Sequence, residues 1–398
     1  QVSYDLNQAI GSADQINLDQ ESKNIYYQNS NPLKEHSLMR RPDLAWTFRE
    51  IARNGEEAFY SGSIAKKIVE AMKQNDGYIS LKDLKEYKPR FAEPIQTTYR
   101  NYKVLAHPPP AGGAAVLLEG LNILENFNTS ELGPNSADFL HLFAEALQRG
   151  HMDRSRYMGD PKFYDVPIKK IISKERASSL AKKINTQEAT PPDTLNPDSL
   201  FQEGENTTHY SIIDKNGNVV SNTYTLGYSF GSGVTIPGTG ILLNNQMNNF
   251  AYQYGNSEVI DRSASIGNRF EPGKRPMSTM TPIILFDENN ELKLVTGSPG
   301  GALIPAAVLR VITGVIDFNL NLGEATMLPR LHKDWPYKNL RLEKGFSKDT
   351  LQILESYGHE LEESKTMGST QSILISSKGR EGFADLRRPN AGVAIQID

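Results

Sequence analysis

The sequence predicts an α+β fold, and three observations point to it. Apolar residues recur at helical spacing through most of the first half. At Thr207 the texture changes to β-branched and aromatic residues around a hairpin turn. The 31 glycines and 22 prolines among 398 residues imply many tight turns rather than a disordered chain. At roughly 100–200 residues per domain, the length allows two or three small domains or one layered unit.

In chain order, residues 1–40 are polar, rich in Asn, Gln and Ser, and follow neither period, so they read as irregular or as an extended arm. From Arg41, Leu44, Phe48 and Ile51, then Ile64, Ile68 and Met72, mark two helices separated by Tyr60-Ser61-Gly62, with Asn75-Asp76-Gly77 as a stop. Ser80-Leu81-Lys82-Asp83 reads as a capping box with Asp in place of Glu, opening a short helix before Pro89. Thr97 to Leu105 reads as one strand, broken by Pro108-Pro109-Pro110 and Gly112-Gly113. Val116, Leu117, Gly120, Leu121 and Leu124 predict a helix, and another starts near Ser136 and runs through Leu140, Phe143, Ala144 and Leu147.

Residues 182–206 read as a mobile, cleavable linker, poor in apolar side chains and carrying Pro191-Pro192. The β texture then begins with Tyr210, Ile212, Val219, Val220 and Tyr224, and Asp214-Lys215-Asn216-Gly217-Asn218 is a hairpin turn. Further strands are expected at 282–286, 292–296 and 371–376, with helices at 303–315 and 347–357.

Composition excludes several function classes. With 43 basic and 47 acidic side chains, a net charge of −4, there is no basic footprint for a phosphate backbone, and no nucleic-acid partner is expected. No apolar run approaches the ~18–20 residues that a membrane span needs. The start, Gln1-Val2-Ser3-Tyr4-Asp5, reads as neither a signal peptide nor a targeting helix, and a first residue other than Met fits a processed or truncated chain. Zero cysteines remove disulfides, thiolate nucleophiles and Cys-based zinc sites together. The seven histidines are scattered with no His-Glu-x-x-His and no close pair, so neither a metal nor a cofactor is expected.

Hydroxyls and glycines cluster in the second half: Thr207-Thr208, Thr223, Thr225, Ser278-Thr279 and Gly297-Ser298-Pro299-Gly300-Gly301. None has an obvious His or Asp partner. That pattern favours a threonine activated by its own α-amino group after the chain is cut before it, over a Ser-His-Asp triad. Such a group needs a strand starting at the nucleophile, a flexible peptide upstream, and backbone N–H donors for the oxyanion; Thr207, the linker and Gly300-Gly301 are the candidates. The hairpin register matters here. A two-residue loop, Asn216-Gly217, sets Thr207 opposite Leu226, whereas a three-residue loop, Lys215-Asn216-Gly217, sets it opposite Thr225. The second brings both hydroxyls together and is the expected register.

Six ordered blocks then resemble the small subunit of γ-glutamyltranspeptidases: Thr207-Thr208-His209-Tyr210-Ser211, Asp214 to Asn218, Leu242-Leu243-Asn244-Asn245-Gln246-Met247, Lys274-Arg275-Pro276-Met277-Ser278-Thr279-Met280, Thr296 to Gly301, and Met367-Gly368-Ser369-Thr370-Gln371-Ser372. Gly55-Glu56-Glu57-Ala58-Phe59-Tyr60, Pro108-Pro109-Pro110, Leu121-Asn122-Ile123-Leu124-Glu125 and Asp153-Arg154-Ser155-Arg156-Tyr157 extend the resemblance back to about Leu38. It implies an N-terminal-nucleophile hydrolase with a four-layer αββα sandwich. Residues 1–206 would be a large-subunit-like, mainly helical part and residues 207–398 a small-subunit-like part, together one αββα domain. The precursor would cut itself between Asn206 and Thr207, and the two fragments would stay associated.

By the same resemblance Thr207 would be nucleophile and, through its amine, general base; Thr225 would orient it, and Gly300 and Gly301 would form the oxyanion hole. Ser278 and Thr279 would contact the substrate α-carboxylate, and Gln246 its α-amino end. The substrate would be a γ-glutamyl amide such as glutathione, the acceptor water, an amino acid or a peptide amine, and the location the periplasm or outside the cell.

Three departures fall in one implied pocket. Asn249 stands where the family carries the carboxylate that receives the α-ammonium, Gly227 where many relatives carry an Asn, and Ile260 where some carry a lid tyrosine. Losing that ion pair gives up about 1.5–3 kcal/mol, so a glutaryl-type amide, as taken by the cephalosporin-acylase-like branch, is the alternative substrate. Family members also begin with a long segment of core strands and a carboxylate-gripping Arg that residues 1–40 do not match; without it central strands would present an unpaired edge. A non-catalytic remnant acting as a binding protein is the remaining alternative.

Each residue also has an ordinary reading. Thr207 and Thr225 could be a cross-strand pair, Gly300-Gly301 a plain turn, Ser278-Thr279 a cap, and Gln246 a loop tie. His209 faces the same side as Thr207 and reads as structural, Asp385, Arg387 and Arg388 as one ion-pair network, and His107, Tyr228 and Trp335 as rim or core.

Overall fold

The hairpin that starts at Asn206 lies against one face of a six-stranded sheet whose other face carries helices. The computed structural model describes residues 1–14, 16, 19–192, 206–251, 265–388 and 390–396. They form two units, residues 1–92 with 226–246, and residues 93–225 with 247–398.

The first unit is not the irregular arm that its opening suggested. Helices Tyr4–Gly11 and Gln20–Tyr26 are capped by Ser3 and Asp19, whose side chains accept from Leu6 N and Ser22 N. Ile10, Ala13, Ile16, Tyr26 and Phe230 form their core. Each helix is too short for a 3.6-residue period to repeat, so the caps were the only available signal. Helices Pro42–Asn54 and Ser63–Gln74 follow the apolar spacing, and Leu81–Glu86 has the capping box of Ser80 and Asp83.

In the second unit, strands Gly379–Ala384, Gln371–Ser376, Leu292–Thr296, Ile283–Phe286, Tyr102–Ala106 and Ile95–Tyr99 lie side by side in that order, all antiparallel. Leu374, Leu294, Leu285 and Val104 form a buried row across four strands, joined in one core with the helices Gly112–Leu124, Ala137–Tyr157 and Ile304–Ile316. Alternation sends Ile373, Val295, Ile284 and Leu105 to the opposite face. Gly112–Leu124 is buried along its whole length, as its apolar composition demands, and truncating one of its leucines would cost about 2–5 kcal/mol.

Strands Asn206–Ile213 and Val219–Gly227 pair with each other as a separate two-stranded sheet. Ser211 Oγ donates to Gln371 O at 2.8 Å and Ser221 Oγ to Thr296 O at 3.1 Å, pinning one face of this hairpin to the large sheet. The other face exposes Tyr210, Ile212, Val220 and Tyr224. Helix, sheet and second sheet are thus stacked in the order expected of an αββα chain. Among the described residues no helix is long and apolar enough to cross a membrane.

Two expectations change. The single strand over 97–105 is a hairpin, turning at Arg100 and Asn101 with φ of 49° and 72°. Without glycine the turn was illegible. Arg100 is held there by tertiary bonds, its N–H to Glu125 Oε1 at 2.7 Å and its guanidinium to Phe127 O at 2.7 Å and Thr129 Oγ1 at 3.0 Å. The linker is also anchored at its start: Thr190 N donates to Glu145 Oε1 at 2.9 Å, Ala189 N to Tyr357 O at 2.7 Å, and His141 contacts Asn185 O at 2.7 Å. Residues 193–205 of it lie outside the described residues.

Candidate active site

Asp214 N donates to Asn218 O at 3.0 Å and Gly217 has φ of 83°, closing the hairpin as a three-residue loop. Asp214 Oδ1 accepts from Asn216 N and Asn218 N, each at 2.8 Å, which fixes the turn. Further along, His209 Nδ1 meets Thr223 Oγ1 at 2.8 Å, the cross-strand partner that this register requires. Continued two residues, it sets buried Thr207 opposite Thr225, both facing the large sheet.

His209, two residues after Thr207 on the same face of its strand, meets the glycine loop. Its Nε2 contacts Ser211 Oγ at 3.2 Å, so both ring nitrogens are engaged, and burial pushes its pKa down to about 3. A neutral, doubly bonded imidazole fits the structural role read from the sequence. The ring lies on Gly297, where a Cβ would come within 2.2 Å of Cε1.

Beyond Gly297 the loop is locked by neighbours. Gln371 N donates to Gly297 O at 3.1 Å and Ser369 N to buried Ser298 Oγ at 2.9 Å. Gly300 and Gly301 follow with φ of 135° and 55°, a pair of conformations that only glycine takes without strain, before the Ile304–Ile316 helix. The hairpin and this loop are therefore brought together by packing around His209.

A second group gathers Ser278, Thr279 and Asn249. Ser278 N donates to Pro110 O at 3.1 Å, and Gly113 N to Ser278 O at 3.3 Å, so the backbone of this segment lies at the start of the Gly112–Leu124 helix. A Cβ on Gly113 would meet Thr279 O at 2.0 Å, which is why the helix must begin with glycine there. Asn268, fully buried, donates to Asn249 O at 2.7 Å and accepts from Met277 N at 2.9 Å, tying the two segments. Nothing in the sequence marked Asn268; a buried amide bridging two loops has no local pattern.

Gln246 begins the short helix Gln246–Asn249, its N–H on Asn244 Oδ1 at 2.9 Å. Gly227 has φ of 96°, and a Cβ there would lie 2.1 Å from Asn245 Oδ1, which accepts from Tyr228 N at 2.8 Å. Ile260 lies outside the described residues.

The C-terminal cluster divides. Asp385 accepts from Arg330 Nη2 at 2.6 Å and pairs with Arg387, which also grips Glu343 at 2.6 Å, as an ion-pair network. Arg388, grouped with them from sequence, instead points its Nη1 at Thr207 O, 3.4 Å away. The two arginines sit in the turn that Arg388 N closes on Asp385 O at 3.3 Å, and successive turn residues send their side chains in different directions. Trp335 is core, while Tyr228 and His107 are exposed.

The family model for gamma-glutamyltranspeptidase matches residues 1–395, including the first 40 residues that the sequence reading left outside the resemblance. The chain is 42% identical over 359 residues to a glutathione hydrolase proenzyme of Escherichia coli (strain K12), covering 90% of this chain and 62% of that protein. It is 32% identical over 366 residues to an acylase ACY 1 proenzyme of Pseudomonas sp. (strain SE83), covering 92% and 63%. Among solved structures, a cephalosporin acylase from Bacillus halodurans superposes with a TM-score of 0.86 at 28% identity, over 100% of this chain and 72% of that one. The chain thus spans a little over three-fifths of the length of those two proenzymes.

Proposed function

The chain belongs to the γ-glutamyltranspeptidase family, and from that premise we propose that it is an amide hydrolase and acyl transferase working through Thr207. The observation that carries this reading is the register that sets Thr207 opposite Thr225, on a strand packed through His209 against the Gly297–Gly301 loop. The reading extends to a precursor cut between Asn206 and Thr207, as the word proenzyme says of the relatives, with the two fragments remaining together, and to export from the cytoplasm.

Cleavage before Thr207 creates the base. An α-amino group titrates near ~7.7–8.0, whereas a lysine would have to be lowered by more than two units to serve at the same pH. The amine takes the Thr207 Oγ proton as the oxygen attacks the substrate amide carbon. The oxyanion is met by the N–H groups of Gly300 and Gly301, each such donor being worth roughly 3–4 kcal/mol in other hydrolases. The ammonium then gives its proton to the leaving nitrogen, leaving an ester on Thr207. Water or an amine, deprotonated by the same group, releases the acyl chain.

Substrate choice rests on the second cluster. Ser278 and Thr279, at the positive end of the Gly112–Leu124 helix dipole, suit a carboxylate. For the α-ammonium this chain offers the neutral Asn249 in that cluster. That residue supports the second reading, a hydrolase that also takes glutaryl-type amides, as the acylase names of some relatives suggest.

Mass spectrometry of the purified full-length gene product tests the proposal. Two fragments are expected, the smaller beginning at Thr207, with Thr207→Ala giving an uncut and inactive chain; an intact chain that still turns over amide overturns it. Asn249→Asp is expected to raise the ratio of γ-glutamyl to glutaryl anilide rates about tenfold or more.

A further inference from the structure

Two histidines and an aspartate from two segments far apart in sequence meet inside the second unit, and none belongs to the groups described above. His151 lies on the Ala137–Tyr157 helix and His332 ends the short strand Leu331–His332; both are fully buried, and Asp334 follows two residues later. His151 Nδ1 lies 3.2 Å from Asp334 Oδ1, and His332 Nε2 lies 3.7 Å from Asp334 Oδ2. The rings stand edge to face at 83°, and one donor atom from each of the three residues lies within 4.8 Å of the others. Asp334 Oδ1 also accepts from Trp335 N at 2.7 Å. His151 Nε2 is buried with no hydrogen-bond partner among the described residues.

We propose that His151, His332 and Asp334 bind one first-row divalent metal ion of the zinc type. Tetrahedral zinc with bonds of about 2.0–2.1 Å holds its donor atoms about 3.3–3.4 Å apart, between the two separations seen here. Two imidazoles and one carboxylate select zinc, cobalt, nickel or copper over magnesium and calcium, which want oxygen ligands. Arg154 and Arg341 contribute positive potential at His151, so an ion attracted by charge alone is disfavoured and imidazole coordination has to supply the affinity. The ion would staple the Ala137–Tyr157 helix to the strand at Leu331–His332.

The test uses the untagged full-length protein, treated with a chelator and then titrated with ZnCl2, CoCl2 or MgCl2. One equivalent of zinc is expected by atomic emission, with a visible tetrahedral absorption from cobalt and a melting temperature that rises with zinc but not with magnesium. Asp334→Asn, which keeps the shape of the side chain, should weaken zinc binding at least tenfold and remove the cobalt absorption, and His151→Phe should do the same. Equal uptake by the unaltered protein and both variants puts the ion elsewhere and overturns the proposal, as does failure of the unaltered protein to hold one equivalent. Should His151→Phe fail to fold, Asp334→Asn and the cobalt spectrum of the unaltered protein decide.

Discussion

The imidazole of His209 rests on Gly297 so closely that a methyl group added to the glycine would lie 2.2 Å from His209 Cε1 and 2.4 Å from Nδ1. His209 thereby holds the strand of Thr207 against the loop that ends in Gly300 and Gly301.

Gly297→Ala is therefore expected to push the ring aside and to slow both chain cleavage and amide turnover at least tenfold, while the melting curve stays cooperative. Misplacing reacting groups by about 1 Å can cost on the order of a hundredfold in rate. Pairing it with His209→Ser should restore part of the rate, since the small side chain removes the clash. Equal activity of Gly297→Ala and the unaltered protein would show that the contact positions nothing.

The pH dependence follows from which group is the base. With the Thr207 amine as base, kcat/KM should rise with pH as the ammonium is lost and level off above about 8. Burial holds His209 neutral down to about 3, so His209→Gln should leave that midpoint in place. A midpoint near about 6.5 that vanishes in His209→Gln would instead assign the imidazole as base. Stability carries a second signature. Between about 6.5 and about 3 the unfolded chain binds a proton that the buried ring refuses, so this part of the stability is present above the unfolded pKa and is lost as pH falls. Urea unfolding should show a shallower pH slope for His209→Gln across that window.

Arg176 holds two buried carboxylates, Asp153 with its Nε at 2.6 Å and Glu119 at 3.6 Å. Burial first, and Asp153 second, push the Glu119 carboxyl well above the usual range. Arg176→Met would leave both acids without a cation, a loss of about 3–5 kcal/mol where a buried pair is broken. Because a raised carboxyl stabilises the fold only while protonated, the loss should be larger at pH 8 than at pH 5.5. Urea midpoints at the two values test this; a penalty independent of pH would show that Glu119 does not titrate differently in the variant.

Much of the fold was legible because the long elements repeat one period. The Gly112–Leu124 and Ala137–Tyr157 helices and the strands at 283–286, 292–296 and 371–376 stand within a few residues of their expected places. The short helices of residues 1–40 and the turn at Arg100-Asn101 were not legible, the first because two turns cannot display a period, the second because distant groups hold an arginine at positive φ. In the site, the Thr207–Thr225 register could be narrowed to two choices from loop length, and the backbone bond from Asp214 to Asn218 selects between them.

The chain's order of residues determined by itself the α+β class, the start of the β region at Thr207, the glycines at 300 and 301, and the exclusion of cysteine chemistry, because each depends on composition or on neighbours within a few positions. Only the tertiary structure decided that His209 lies on Gly297, that Asn268 bridges Asn249 to Met277, that Arg388 leaves its neighbours for Thr207, and that His151 meets His332 and Asp334. Those contacts join segments far apart in the chain. They exist because burying the apolar faces of helices and strands leaves particular polar groups together, and no local pattern records which groups those will be.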